Sequence, residues 1–511
     1  MNFRSVLLVG LLPGAIAQAQ VTLPKILSSH MVVQRDLPVH VWGLAAPGEA
    51  VSATFRGETR QTKAGQMGRW SLYLKPGAAG GPFQLTVTGM PVATGTEAPA
   101  AQTLMLDDVL VGDVWVASGQ SNREFSMGGA IGGATTAAAD LPNAGIPNIR
   151  LLIVKRVAIE YPKDDIDTDV WSGWAASTPD TAKDFSAVAW YFAREIEQRE
   201  HVPVGVIDSV WGGTVADAWT RVEALGEDAA LAPVFVEWGK MAERQEDELL
   251  RARDEQRQRA EALAAGKPAP MFPWHPDLKS WGPGMLWNGM IAPLTPFPIR
   301  GVIWYQGESN SSQARAPLYK RVFSTMIEDW RHEWGVGDFP FLFVQISNFK
   351  SGPGEGWAEL REQQLKTLEV SNTAMAVTID IGTPDNVHPP DKLDVGVRLA
   401  LAARALSYGE DISYSGPIFR QATPEGSAIR VWFEHHAKGL VAKGGELTGF
   451  EVAGADGKFV PATAKIDGNT VVAASDAVAE PVAVRYGWAN SPQCNLFNGE
   501  GLAASPFTSV E

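Results

Sequence analysis

A doubly wound α/β core flanked by two β-rich domains is the fold class predicted by this 511-residue sequence, on three observations. Between Asp107 and Tyr408, nearly unbroken apolar runs alternate with helical stretches, the pattern of strands covered by helices on both faces. Before and after that region apolar residues recur at every second position, which marks half-buried strands. The chain is also too long for one core, and ordinary domain sizes call for roughly three units.

Taken in order, the chain opens Met1-Asn2-Phe3-Arg4, runs apolar from Val6 to Ile16 and reaches Ala17-Gln18-Ala19. A basic flank, a short apolar run and a small-x-small site predict a secretory signal over 1–19, and hence export to the periplasm or the extracellular space. No later segment approaches the ~18 unbroken apolar residues of a spanning helix, so no membrane span is expected. Over 20–105, Val39 and Val41, then Val51, Ala53 and Phe55, then Trp70, Leu72 and Leu74, then Phe83, Leu85 and Val87 alternate with polar neighbours. Turns at Pro47-Gly48, Gly57, Gly65, Gly68 and Pro76-Gly77 separate them, which predicts a small β-sandwich. Pro91 to Gln102 has neither period and reads as a linker or a long edge loop.

The core is expected over 106–410, with candidate strands at Val109–Ala117, Ile149–Val154, Val202–Val210, Ile299–Tyr305, Phe339–Ile346 and Ala374–Ile379. Ala187–Glu200 and Leu318–Trp334 carry apolar residues at helical spacing. A helical insertion at about 216–290 interrupts this core. Within it, Glu243–Ala265 mixes charges of both signs at three- and four-residue spacing, which predicts a solvated helix; it lacks the seam of a coiled coil. The aromatics of Met271-Phe272-Pro273-Trp274 and of Trp281 to Trp287 either line a sugar cleft or fill core, and core is the expectation for most. Over 411–511 the period returns to two at Ile429, Val431 and Phe433 and at Val482 and Val484, predicting a second β-rich domain.

Composition narrows the function. A net charge of -15 argues against nucleic acid as a partner, because phosphate binding needs basic patches. Cys494 is the only cysteine, so no intrachain disulfide can form, and it reads as a small buried hydrophobe.

The run from Val114 breaks at Gly119-Gln120-Ser121-Asn122, just past the carboxyl end of a buried strand, where open α/β sheets bind ligands. Ser121 is therefore a candidate nucleophile; the ordinary alternative is a helix N-cap. A serine nucleophile needs a base, and the base needs an orienting group. Of eight histidines, His388 in Asp385-Asn386-Val387-His388-Pro389-Pro390 follows the last core strand and so shares that edge. Asp385, three residues earlier, can fold back to accept its Nδ1–H and leave Nε2 for the serine. The alternative is a loop in which Asp385 caps a helix and His388 is an exposed polar residue. No second cluster at ligand spacing supports a metal site.

An oxyanion needs preorganised donors, each worth on the order of 10² to 10³ in rate. Trp211-Gly212-Gly213-Thr214 offers backbone N–H groups and Tyr305-Gln306-Gly307-Glu308-Ser309-Asn310 offers the Gln306 amide, both at strand ends. Their ordinary readings are a Gly-Gly turn and a helix start at which Glu308 favours the dipole. Asn122, Trp211 and Glu308 share those ends and are expected to line the substrate.

With these blocks on the page, the chain resembles the sialate O-acetylesterase family, carbohydrate acetylesterases of the SGNH hydrolase superfamily. The similarity runs from Leu23-Pro24-Lys25-Ile26 to Gly499-Glu500-Gly501-Leu502, and Ile303-Trp304-Tyr305-Gln306-Gly307-Glu308-Ser309-Asn310 is its most specific block. The resemblance implies a flavodoxin-like three-layer core and a reaction without metal or cofactor. It makes Ser121 the nucleophile, His388 the general base and Asp385 its orienting carboxylate. The N–H groups of Ser121 and of Gly212 or Gly213, with the Gln306 amide, form the implied oxyanion hole. One departure stands out: the family usually carries Met after Gly-Gln-Ser-Asn, and Arg123 stands there in this chain, so the resemblance does not fix the shape of the acyl or leaving-group pocket. An α/β-hydrolase elbow is excluded, since Gly119-Gln120-Ser121-Asn122-Arg123 lacks its final glycine.

The expectation is a secreted serine esterase that removes O-acetyl groups from an oligo- or polysaccharide, with acetylated hemicellulose such as xylan or xyloglucan favoured. A 9-O-acetylated sialic acid is the rival substrate, and it would call for a well-placed arginine. A catalytically inactive carbohydrate-binding protein is the rival outside enzymology.

Overall fold

The computed structural model describes residues 21–90, 100–129, 135–168, 170–272 and 274–510. The expected signal at 1–19 and most of the expected linker from Pro91 lie outside the described residues.

The six apolar runs form one parallel sheet, because each buries side chains on both faces. β1 (Gln102–Gly119), β2 (Ile149–Ile153), β3 (Val204–Val210), β4 (Gly301–Tyr305), β5 (Phe341–Val344) and β6 (Thr373–Ala376) lie in the order β6-β5-β4-β1-β3-β2. Setting aside the outlying β2, the remaining five strands have the 2-1-3-4-5 order of a flavodoxin-like sheet. Gly119 at the end of β1 pairs with Val210 of β3 on one side and Tyr305 of β4 on the other. Three strands therefore end level, and the chain leaves all of them at one rim.

Helices cover the sheet on both sides. Trp115, Ala117, Ile303, Tyr305, Leu342 and Val344 pack against the helices Ala187–Glu200 and Leu393–Tyr408. The alternate residues Val114, Val116, Val302, Trp304, Phe341 and Phe343 pack against Tyr319–Trp334. Trp304 meets Phe323 and Trp330 of that helix at ring distances of 6.0 Å. Its truncation to alanine would cost about 3–5 kcal/mol, the usual loss for a large core aromatic.

On the amino-terminal side Val39–Leu44 pairs with Arg69–Leu74, and Ala50–Phe55 pairs with Glu58–Lys63 and Gly80–Met90. Gly80–Met90 in turn pairs antiparallel with the first half of β1. The change of period at Asp107 is thus a change of surroundings within a single 18-residue strand: alternating burial gives way to complete burial where helices cover both faces.

Beyond the core, antiparallel sheets of four strands join 418–425, 428–434, 463–467 and 470–474, and 450–453, 460–461, 483–486 and 507–508. Gln345 beside β5 donates to Ser505 Oγ at 2.8 Å, which ties this region to the core. The helix Gln245–Ala264 has no buried residue, in keeping with its mixed charges. Among the described residues no helix is long and apolar enough to cross a membrane.

Candidate active site

The strand ends create the turn that presents Ser121. Gly119 has φ +136°, and a Cβ there would lie 2.1 Å from the Tyr305 carbonyl oxygen, so only glycine lets β1 turn this closely against β4. Gln120 then caps α1 (Ser121–Glu124) from extended backbone, with no side-chain cap bond. Ser121 is the first helical residue and not its cap, so its hydroxyl is left for another partner. That partner is His388, whose Nε2 lies 2.9 Å from Ser121 Oγ.

His388 arrives on the loop after β6. The Asn386 side chain accepts the His388 N–H at 2.9 Å, and the imidazole packs 5.1 Å from the Phe125 ring. Burial, with the Lys392 charge behind it, pulls the imidazole down to about 4. The ring is therefore neutral at ordinary pH, and Nε2 can accept the serine proton.

Several sequence expectations are corrected. Asp385 does not reach His388: its side chain is 80% exposed and takes Lys350 Nζ at 3.1 Å. Asn386 makes the return contact to His388 and Asp385 faces outward. Gln306 is fully buried, and its amide donates to the Thr214 carbonyl at 3.1 Å and Asn310 Oδ1 at 2.6 Å. Its Oε1 accepts from Tyr319 Oη at 2.9 Å, so Gln306 is internal structure and not an oxyanion donor. Glu308 opens a short 3₁₀ turn, as the ordinary reading of that block had it.

Asn122 and the Glu308 carboxylate are buried as well, which removes both from the substrate surface. Asn122 Nδ2 donates to Glu308 Oε1 at 2.6 Å and to the Val387 carbonyl at 3.0 Å, while its Oδ1 accepts from Lys392 Nζ at 2.7 Å. One amide therefore joins the nucleophile turn to the His388 loop and separates two buried ionisable groups. Desolvation pushes the Lys392 ammonium down to about 7 and the Glu308 carboxyl upward. Trp211 stays at the rim, its N–H on the Gly119 carbonyl at 3.2 Å.

The glycine pair sits against the nucleophile. A Cβ on Gly212 would lie 3.3 Å from the Ser121 Cβ. Its N–H, however, donates to Glu124 Oε1 at 2.6 Å, and Arg156 holds the same oxygen at 2.6 Å. Among the described residues the N–H groups of Ser121 and Gly213 donate to no partner.

Arg123 turns away from the site. It is fully buried, donates to Ser186 Oγ at 2.7 Å and faces the buried Asp208, so its side chain is not exposed at the substrate surface. Burial lowers the Arg123 guanidinium to about 10 and raises Asp208 to about 7.

Glu124, Arg156 and Lys392 were missed from sequence. One of them had a local signal: Glu124 stands three residues after Ser121 in a helix.

Comparison with known proteins places these features. A family model described as carbohydrate esterase, sialic acid-specific acetylesterase matches residues 277–405. Sialate O-acetylesterase of Mus musculus is 32% identical over 77% of this chain and 74% of its own length. The Homo sapiens sialate O-acetylesterase is 29% identical over 94% of this chain and 91% of its own. A crystal structure of a carbohydrate acetylesterase from Xanthomonas citri superposes with a TM-score of 0.79 at 38% identity, covering 96% of this chain and 99% of that one.

Proposed function

Because this chain belongs to the sialate O-acetylesterase family and is a carbohydrate O-acetylesterase, we propose that Ser121 and His388 carry out its chemistry on a neutral acetylated glycan. The observation that carries the reading is the 2.9 Å contact between Ser121 Oγ and a neutral imidazole Nε2 at the rim of the sheet. Ser121 Oγ attacks the acetyl carbonyl as its proton passes to Nε2. The oxyanion is met by the N–H groups of Ser121 and Gly213, the rim donors that lack an internal partner. Collapse breaks the ester bond, and the departing sugar oxygen takes the proton from Nε2. Water, deprotonated by the same nitrogen, then cleaves the acetyl-enzyme to acetate and restores Ser121.

The charges beside the site favour a neutral saccharide such as acetylated xylan or xyloglucan. Arg156 is engaged by Glu124, Lys392 by Asn122, and Arg123 is buried on Ser186. Of these cations only Arg156 is exposed, and a sialate carboxylate would have to share it with Glu124. Acetate release from acetylated xylan, acetylated xyloglucan and 9-O-acetyl sialic acid tests the reading. A kcat/KM at least tenfold higher on either hemicellulose is expected, and a preference for the sialate would overturn the neutral-glycan assignment.

A further inference from the structure

Trp274 has a place beside the nucleophile that the ester chemistry does not use. It is 62% exposed, whereas the nearby Trp281 and Trp287 are 8% and 1% exposed. A tryptophan left open to water in a solvated insertion presents its ring to any ligand that reaches it.

Its Cζ2–Nε1 edge rests against Gly213. Gly213 has φ +72°, and a Cβ there would lie 2.6 Å from Trp274 Cζ2, so glycine lets the indole edge approach the loop this closely. The preceding residue, Gly212, is the one packed against Ser121. The ring is also braced from behind. Trp281 lies 6.0 Å away at 42° and donates through Nε1 to the Gly213 carbonyl at 2.6 Å. Arg315 stacks on Trp281 at 4.9 Å and is itself held by Asp217 at 3.1 Å and Glu237 at 2.9 Å. An indole anchored along one edge with most of its surface open can serve as a stacking platform.

We propose that Trp274 is the floor of a saccharide subsite, on which the apolar C–H face of a neutral pyranose in the glycan chain stacks while its acetyl group reaches Ser121. The proposal rests on the esterase reading above and extends it. An acetyl group is two carbons long, so the sugar that bears it, or its neighbour in the chain, meets the loop next to the nucleophile. The platform comes from the insertion and not from the α/β core, so the core supplies the chemistry and the insertion selects a ring-bearing substrate.

The test compares kcat/KM on an acetylated xylo-oligosaccharide with kcat/KM on p-nitrophenyl acetate, which lacks the sugar, in wild type, Trp274→Ala and Trp274→Phe. The ratio of the two is expected to fall at least fivefold in Trp274→Ala, mainly through KM, and to return to within twofold of wild type in Trp274→Phe. Titration of Ser121→Ala with deacetylated xylohexaose should show binding that weakens at least fivefold once Trp274→Ala is added. A smaller change in the ratio, including an equal loss on both substrates, would overturn the proposal and leave Trp274 as a support for Gly213. Undiminished acetate release by Ser121→Ala would instead remove the nucleophile, a failure of the esterase reading that the Trp274 ratio does not mimic.

Discussion

The Glu124 carboxylate accepts the Gly212 N–H at 2.6 Å while its other neighbour, Arg156, holds the same oxygen. A carboxylate fixed this close to Ser121 braces the glycine loop, and it occupies a donor that the sequence had offered to the oxyanion.

If the brace positions the loop, Glu124→Ala lowers kcat by about 10 to 10²-fold, the scale of a slightly misplaced catalytic donor. Glu124→Gln keeps an acceptor for the Gly212 N–H and should lose less. Steady-state kinetics on a small acetyl ester check this. A rise in kcat in Glu124→Ala would mean that the carboxylate blocks the hole.

The pH profile follows from the imidazole. Burial first, and Lys392 second, hold His388 at about 4, below its ordinary value of ~6.5. Catalysis needs the neutral ring, which persists above the folded value and is lost as pH falls through it. The acid limb of kcat/KM is therefore expected close to pH 4, well below the free imidazole value. Stability has the same sign: between about 4 and ~6.5 the unfolded ring binds a proton that the folded ring does not, so His388 lowers stability as pH falls across that window. Lys392→Gln keeps a donor for Asn122 without the charge, and should move the acid limb upward.

The distance between Asp385 and the imidazole makes a sharp case. With its carboxylate solvated on Lys350, Asp385→Ala should lower kcat less than about tenfold, where an engaged triad carboxylate is worth about 10⁴. A loss near the larger figure would show that substrate draws the loop round to place Asp385 on His388.

Arg123 and Asp208 are buried beneath the nucleophile helix and influence each other through charge, with no hydrogen bond between them. Arg123→Met should cost about 1–3 kcal/mol in urea unfolding, because it removes the buried hydrogen bond to Ser186 and the positive charge facing Asp208. Adding Asp208→Asn should recover part of that loss. Neither change should alter the preference among acetylated glycans, since Arg123 is fully buried.

Much of the frame was legible in the sequence because it depends on local pattern. The six strands, the helices Ala187–Glu200 and Tyr319–Trp334, and the meeting of Ser121 with His388 follow from apolar runs and from which strand ends share a rim. The ends of long polar side chains were not legible, because partners from distant segments decide them. Gln306 is taken by Thr214, Asn310 and Tyr319, and Asn122 by Glu308, Val387 and Lys392. Burial satisfied those groups internally, and so they do not face the rim.

In the proposed mechanism catalysis is covalent: an acetyl group passes through Ser121 with His388 as the base. Rapid quenching of the enzyme with an acetyl ester, followed by mass analysis of its peptides, reads this directly. One acetyl group is expected on the peptide carrying Ser121, appearing within the first turnover, with acetate release at least about 10⁴-fold slower in Ser121→Ala. An acetyl group found on another residue, or a Ser121→Ala enzyme within tenfold of wild type, would contradict the account.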